Sequence, residues 1–120
     1  MITIYQIQAY NEQADDAKRK LMFGAEDFDV SMLKYFTDVA TVDTDDLEEA
    51  FELTNLWYDP SKVQKMSKMY STSVGDIFGL NGRYYMVDTF GFKELKLFSD
   101  EVEMLLSDEV EMLEAAQWVL

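Results

Sequence analysis

The sequence predicts an α+β fold, a small antiparallel sheet with an Asn-Gly hairpin, packed by amphipathic helices. Three observations predict it. Asn81-Gly82 separates two strand-forming runs, VGDIFGL and RYYMVDTF, and these two residue types most readily take the positive φ that a two-residue hairpin turn requires. The stretch DTDDLEEAFELTN sets apolar residues at helical spacing against carboxylates. Finally, 120 residues that are 48% hydrophobic, with eight Phe, seven Tyr and two Trp, supply one core but not two.

The elements follow in order. Ile2 to Gln8 alternates Ile2, Ile4 and Gln6 against Thr3, Tyr5 and Ile7, as a buried first strand would. Asn11 to Met22 is a helix, polar at its start, with Gly24 as its stop. Met32 to Phe36 suits either a short helix or a strand. Thr37 to Val42 is β-branched and forms the second strand. Thr44 is the expected N-cap of the next helix, with Asp45 and Asp46 in its first turn, where the helix dipole favours carboxylates. On that wheel Leu47, Ala50, Phe51, Thr54, Trp57 and Tyr58 share one side. Asp45, Glu48, Glu49 and Glu52 lie opposite, with Asp46 at the boundary. Asp59-Pro60 ends the helix, and Ser61 to Met69 is expected to add a basic helical turn or two through Lys62, Lys65 and Lys68. Ser73 to Leu97 is β, with the hairpin placing Phe78 opposite Tyr85 and Ile77 opposite Met86. Lys93 to Phe98 alternates as a further strand.

The tail says SDEVEML twice, at 99–105 and 107–113, with Leu106 between. Eight residues along a helix add roughly 80° beyond two turns, so the copies cannot share a face. As one helix, residues 99–120 carry an apolar stripe of Val102, Leu105, Leu106, Val110, Met112, Leu113, Ala116 and Leu120. Asp100, Glu101, Glu103, Asp108, Glu111 and Glu114 gather opposite, and Glu109 falls within the stripe. Two short helices, each capped by its own serine, are the alternative. The organisation is thus a single domain, 1–98, with an acidic amphipathic helix, 99–120, packed on it. Trp118, Val119 and Leu120 either close the core or supply a homodimer contact.

The net charge is −14 and the sequence pI about 4.1. Residues 1–20 balance, and 26–59 hold eleven acids against Lys34 alone. The stretch 61–96 is mildly basic, and the tail adds seven acids with no base. Such a chain repels nucleic acid and anionic lipid and favours a basic protein partner. There is no His and no Cys, which excludes zinc sites, the usual acyl-transfer triads and thiol chemistry, and fits a reducing cytoplasm. The start, MITIYQIQAY, lacks the basic and apolar regions of a signal peptide. No run approaches the roughly 18 apolar residues of a membrane span.

Few motifs point to chemistry. Asp43-Thr44-Asp45-Asp46-Leu47-Glu48 resembles the start of a calcium loop, but Leu47 takes a ligand position and the turn glycine is missing. Gly75, Gly79 and Gly82 lack phosphate-loop spacing. Paired carboxylates for glycosidase chemistry exist in so acidic a chain, but no pair stands out. No catalytic residue, metal or cofactor is expected. Ser71 to Asp76 reads as a strand-entry turn with side chains serving local backbone groups, and Phe90-Gly91-Phe92 as a bend. A charge-rich helix face is ordinarily just solvated. Here both acidic blocks lack the bases that would use the i, i+4 attraction, so a partner that needs the charge gains weight. Carboxylates three or four positions apart lie about 5–6 Å apart at Cβ, and a nucleic-acid strand carries a phosphate about every 3.4 Å.

The strings IYQI, DDLEEAFELTN and MYSTSVGDIFGLNGRYYMVDTFGFKEL resemble, in that order, the YodL-like domain. Its Tyr-Gln strand matches Tyr5-Gln6, and its Leu-Glu-x-x-Phe helix matches Leu47 to Phe51. Its Ser-x-Ser-Val-(Gly/Ser)-Asp entry matches Ser71 to Asp76, and its Tyr-x-Val-Asp-Ser-Phe-Gly-Phe string matches Tyr85 to Phe92, with Thr89 in place of the serine. The resemblance spans roughly residues 2–95 and leaves the tail outside. It implies a small α+β domain of phages, plasmids and conjugative elements, often found beside antirestriction modules, with no established catalytic residues. The family residues Ser73, Gly75, Asp76, Tyr85, Asp88, Phe90, Gly91 and Phe92 are expected to be structural.

The functional expectation is a non-enzymatic acidic protein of the host cytoplasm. It would bind and inhibit a nuclease or other DNA-handling or defence protein, of the anti-restriction or anti-CRISPR type. Its contact residues would be Asp45, Asp46, Glu48, Glu49 and Glu52, with Glu103, Asp108, Glu111 and Glu114 as a second block. It would contact neither nucleic acid nor membrane. The alternative is a general interaction or regulatory module whose acidity only confers solubility.

Overall fold

A computed structural model of the chain describes residues 1–8 and 10–105. Its elements are β1 (Ile2–Ile7), α1 (Glu12–Leu21), β2 (Phe36–Val42), α2 (Leu47–Leu56), β3 (Val63–Lys65), β4 (Ile77–Leu80), β5 (Arg83–Val87), β6 (Phe92–Leu95) and α3 (Ser99–Leu105). The six strands make one sheet in the order β3-β2-β1-β4-β5-β6, antiparallel at every pairing. This is the α+β architecture that the sequence predicts.

The alternation within each strand assigns its residues to two apolar layers. Tyr5, Ile7, Ile77 and Met86 pack with Ala14, Ala17 and Leu21 of α1 and with Leu33 and Phe36. Ile2, Ile4, Phe78 and Val87 pack with Ala50 and Leu53 of α2. The sheet is therefore covered on both faces. The β1–β2 register shifts between Ile4 and Tyr5, which pair with Ala40 and Asp38. Val39 is the extra residue of a bulge, and both it and Ala40 are fully buried beside α2.

The hairpin has the expected register, with Phe78 opposite Tyr85 and Ile77 opposite Met86. Asn81 and Gly82 both take positive φ, 52° and 77°, as the turn chemistry requires. Helix α1 starts at Asn11, whose side-chain oxygen accepts from the Ala14 backbone N–H at 2.8 Å. Lys18, Arg19 and Lys20 occupy its last turn, where cations complement the dipole. The ambiguous stretch before β2 is a 3-10 turn, Val30–Tyr35, which Asp29 caps by accepting from Ser31 N–H at 2.9 Å.

Both ends of the acidic helix, and the segment that follows it, are corrected. The N-cap is Asp46 rather than Thr44. Its carboxylate accepts from Glu48 and Glu49 N–H at 2.9 and 3.3 Å, whereas the Thr44 hydroxyl accepts from Asp46 N–H one turn earlier. An ionised aspartate satisfies two of the helix's orphan donors and adds charge at its positive end, which one hydroxyl cannot match. The helix also stops at Leu56, because Trp57 adopts a left-handed conformation with φ 56°. Trp57 and exposed Tyr58 thus lie beyond it, and Leu53 joins Ala50 and Thr54 as its buried residues. The Trp57 indole donates to the Ser71 hydroxyl at 3.1 Å, with the Lys65 ammonium 4.6 Å from its ring centre.

A further correction concerns 61–69, which forms no α-helix. A 3-10 turn, Pro60–Lys62, leads into β3, which extends the sheet by pairing Val63 with Val42 and Lys65 with Ala40. The open backbone of β2 is the stronger claim on this segment, and β-branched Val63 suits it. The edge is short and bears Lys62 and Lys65, which discourages pairing with another chain.

Helix α3 returns beneath the sheet to pack on the Val30–Tyr35 turn and β2. Glu101, expected on the polar side, is half-buried with its Oε2 shielded. Residues 106–120, including Asp108, Glu111, Glu114 and the Trp118-Val119-Leu120 end, lie outside the described residues, as does the choice between one tail helix and two. Among the described residues, no helix is long and apolar enough to cross a membrane.

Candidate functional site

Gln6, Tyr70, Ser73 and Asp76 meet in a hydrogen-bonded brace. Gln6 sits on β1 next to Ile4 and Tyr5 and is buried, so its amide must find partners inside. Its Nε2 donates to the Tyr70 carbonyl at 2.9 Å and to Asp76 Oδ2 at 3.0 Å, while its Oε1 accepts from Tyr70 N–H at 3.1 Å. The same Asp76 oxygen accepts from Ser73 N–H at 3.0 Å. Thr54 and Thr72, both fully buried, share a 2.8 Å hydroxyl contact, and Asn55 Nδ2 donates to Thr72 O at 2.7 Å. The segment 70–76 is thereby tied to both β1 and α2.

Burial pushes the Asp76 carboxyl up to about 7, against the opposing pull of its Gln6 and Ser73 hydrogen bonds and the Lys18 ammonium. A small cavity of about 140 Å³ opens beside it, lined among others by Lys18, Tyr70, Ser71 and Ser73. A carboxyl titrating near neutrality in a cavity is a feature of catalytic sites. Here both hydrogen bonds fall on Oδ2, which ties the carboxyl into the brace through that oxygen.

Asp88 performs a parallel task at the far end of β5. Its Oδ1 accepts from Ala25 N–H at 3.1 Å and from Thr89 N–H at 2.8 Å. These bonds, in that order of weight, hold its carboxyl below the ordinary range. The turn closes through Asp88 N–H to Gly91 O at 2.9 Å, with Gly91 at φ 70°. The result projects Phe90 into solvent, 94% exposed, while Phe92 turns inward against Phe78 with ring centres 5.4 Å apart. Tyr85 is half-buried opposite Phe78, and Tyr84 packs on Tyr5. Gly75 is buried and Asp76, Tyr85, Asp88 and Phe92 are half-buried, whereas Ser73, Phe90 and Gly91 are exposed.

The acidic residues of the first block lie at the start of α2 and along it. Asp45, Asp46, Glu48 and Glu52 are exposed and Glu49 is half-buried. Their occupations differ. Asp45 meets the N-terminal ammonium group, Asp46 is the cap, and Glu49 pairs with Lys62 at 3.3 Å. Glu48 and Glu52 join no ion pair among the described residues. They rim a groove of about 340 Å³ whose other walls are Phe51, Val74, Val87, Asp88, Thr89, Gly91 and Phe92. The groove joins two regions that sequence reasoning kept apart, the acidic helix and the Asp88–Phe92 turn. Of the second block, Glu103 is exposed on α3.

Sequence reasoning missed Gln6 as the pivot of the brace and missed the groove altogether. Gln6 had a signal, since it shares the alternation of Ile2 and Ile4, and a polar side chain there needs internal partners. The groove had none, because its walls come from three separate stretches, 48–52, 74 and 87–92, that meet only in the fold. Among the described residues, no three carboxylates converge as a metal site would need. Comparison with family models, curated proteins and solved structures gives no match for the chain.

Proposed function

We propose that this is a non-enzymatic protein that docks on the basic surface of a DNA-handling or defence protein in a bacterial cytoplasm and inhibits it. The α2 carboxylates would stand where nucleic-acid phosphates would lie. Membership of the YodL-like family, and with it a phage or mobile-element setting of the anti-restriction or anti-CRISPR kind, belongs to the same proposal. It rests on the match of Tyr5-Gln6, Ser71 to Asp76 and Tyr85 to Phe92 to the family strings.

One observation carries the reading. Glu48 and Glu52 stand exposed along α2 and join no ion pair among the described residues, whereas Lys62 offsets Glu49 and the N-terminal ammonium group offsets Asp45. Like charges at i, i+4 such as Glu48 and Glu52 oppose helix formation by about 0.2–0.5 kcal/mol, and among the described residues neither caps the helix nor joins an ion pair. A second reading, an interaction module whose acidity serves solubility, is favoured by Phe90. An aromatic ring held in solvent by a hydrogen-bonded turn suits an apolar contact.

The test is capture of binding proteins from bacterial lysate, followed by salt titration and competition with DNA. Charge-complementary docking should weaken steeply as salt screens it over about 10 Å at 0.1 M, and DNA should compete. Changing Asp45, Glu48, Glu49 and Glu52 together to Lys should abolish binding without unfolding the chain, because Asp46 keeps its cap. Glu103, Asp108, Glu111 and Glu114 are tested the same way. If both sets of variants bind like the wild type and DNA does not compete, mimicry is wrong. The Phe90 surface then becomes the contact.

A further inference from the structure

We propose that the groove between α2 and the Asp88–Phe92 turn is an arginine pocket, which takes one arginine side chain from the surface of a protein partner. The inference rests on the reading of the chain as a binder of basic protein surfaces and names what that surface must present.

The groove has an apolar floor and an anionic rim. Phe51, Val74 and Phe92 are half-buried and Val87 is buried. Phe92 is anchored by its packing on Phe78, so the floor keeps its shape without a ligand. Glu48 and Glu52, one helical turn apart on α2, stand on one side, and Asp88 stands on the other. No lysine or arginine lines the groove. Both hydrogen bonds to Asp88 fall on Oδ1. These bonds keep the group ionised and fixed in place. A volume of about 340 Å³ lies at the low end of the roughly 300–1,000 Å³ typical of ligand pockets. It suits a side chain better than a large molecule.

Charge and surface together select the occupant. An apolar side chain would satisfy the floor but strip water from three carboxylates with nothing in exchange. An ammonium group holds its own water tightly and presents a point charge, so it favours the open rim over the floor. A guanidinium is planar and weakly hydrated. It stacks on aromatic faces and forks two N–H donors toward a carboxylate. Phe51 and Phe92 offer the faces, and Glu48, Glu52 and Asp88 the acceptors. The exposed Phe90, between the lining residues Thr89 and Gly91 in the chain, would give the residues flanking that arginine an apolar contact.

The test is a titration of the isotopically labelled chain, followed by backbone amide NMR, with n-butylguanidinium, n-butylammonium and neutral n-butylurea. Butylguanidinium should shift the amides of 48–52 and 87–92 saturably, and butylurea should not. Replacing both Glu48 and Glu52 by Gln should weaken the response about ten-fold, the size of one charge-assisted hydrogen bond. Asp45→Asn, outside the groove, should leave it unchanged. Equal affinity for butylammonium, or unsaturating shifts spread over Asp15, Asp43 and the other surface acids, would overturn the assignment. No captured partner is needed, so the two readings fail separately. A groove indifferent to guanidinium beside salt-sensitive capture from lysate sinks the pocket alone. A saturable response with no basic protein captured upholds the pocket and removes the docking reading.

Discussion

The side chains of Gln6 and Asp76 meet at 3.0 Å although 70 residues separate them. One lies on the central strand and the other at the entry to the hairpin. Because Gln6 also exchanges two hydrogen bonds with the Tyr70 backbone, a single amide does for the 70–76 segment what a strand partner would do. That segment leads from β3 into β4 and is tied to α2 through Thr72, so the brace sets how it lies against β1.

The Asp76 carboxyl should make stability fall as pH rises through neutrality. In the fold it keeps its proton up to about pH 7, against 3.8 ordinarily. Its contribution is full below the unfolded value and is lost as pH passes the folded one. Across that window the slope approaches about 1.4 kcal/mol per pH unit. Asp76→Asn keeps an oxygen to accept from Gln6 and Ser73 but cannot ionise, so its stability should stay level between pH 5 and pH 8. Urea midpoints at each pH measure this, and parallel profiles for the two proteins would show that Asp76 is not the group responsible.

Gly75 and Gly91 should respond very differently to alanine. Both have positive φ, 98° and 70°, a conformation that costs an L residue roughly 1–2 kcal/mol. A Cβ at Gly75 would also lie 2.8 Å from Leu21 Cβ and 3.3 Å from the Leu21 carbonyl oxygen, whereas one at Gly91 meets nothing within 4 Å. Gly91→Ala should therefore cost only the backbone strain. Gly75→Ala should cost about 2–4 kcal/mol, because overpacking against α1 adds to it. Equal losses in chemical denaturation would mean that close approach to Leu21 is not what Gly75 provides.

How far the sequence could be read depended on how local each determinant is. The Asn81-Gly82 turn needs only its own two φ angles, so its register with Phe78 and Tyr85 was legible. Asn11 capping α1 is similarly local. At α2 the sequence points to Thr44 as the cap, whereas in the fold Asp46, two residues on, caps the helix because its one carboxylate reaches two N–H groups. The segment 61–69 was misread because its lysines have helical spacing, whereas its partner, the β2 edge, lies twenty residues away in sequence. The acidic face was visible as composition. Its apolar neighbour was not, since Val74 and Phe92 reach Phe51 only once the sheet has formed.

Thr54 and Thr72 should show strong coupling. The Thr54 hydroxyl contacts Ala50 O at 2.7 Å as well as the Thr72 hydroxyl at 2.8 Å. It donates to the carbonyl and accepts from Thr72. Thr54→Val would leave the Thr72 hydroxyl buried without that partner, at about 1–3 kcal/mol. Thr72→Val leaves Thr54 its carbonyl and should cost less. With both changed, no buried hydroxyl remains, so the double variant should lose less than the sum of the two single changes. A double-mutant cycle by denaturation measures the difference, and strict additivity would mean that the hydroxyls do not depend on each other.

The α2 carboxylates should separate into those that hold the fold and those that burden it. Asp46→Ala removes the acceptor for two N–H groups and should cost about 1 kcal/mol in any salt, since much of that loss is hydrogen bonding. Glu52→Lys replaces the repulsion between Glu48 and Glu52 with an attraction in the favourable Glu-to-Lys order, and should stabilise the chain by roughly 0.5 kcal/mol at low salt. That gain should vanish near 1 M salt, where screening reaches about 3 Å. If the carboxylates are retained for a basic partner, the same Glu52→Lys protein should be the more stable one and the weaker binder. Thermal melts at two salt concentrations, set beside capture from lysate, test both halves. A Glu52→Lys chain that melts lower than the wild type at low salt would mean that Glu52 serves the fold itself, and the case for a partner from charge crowding would fail.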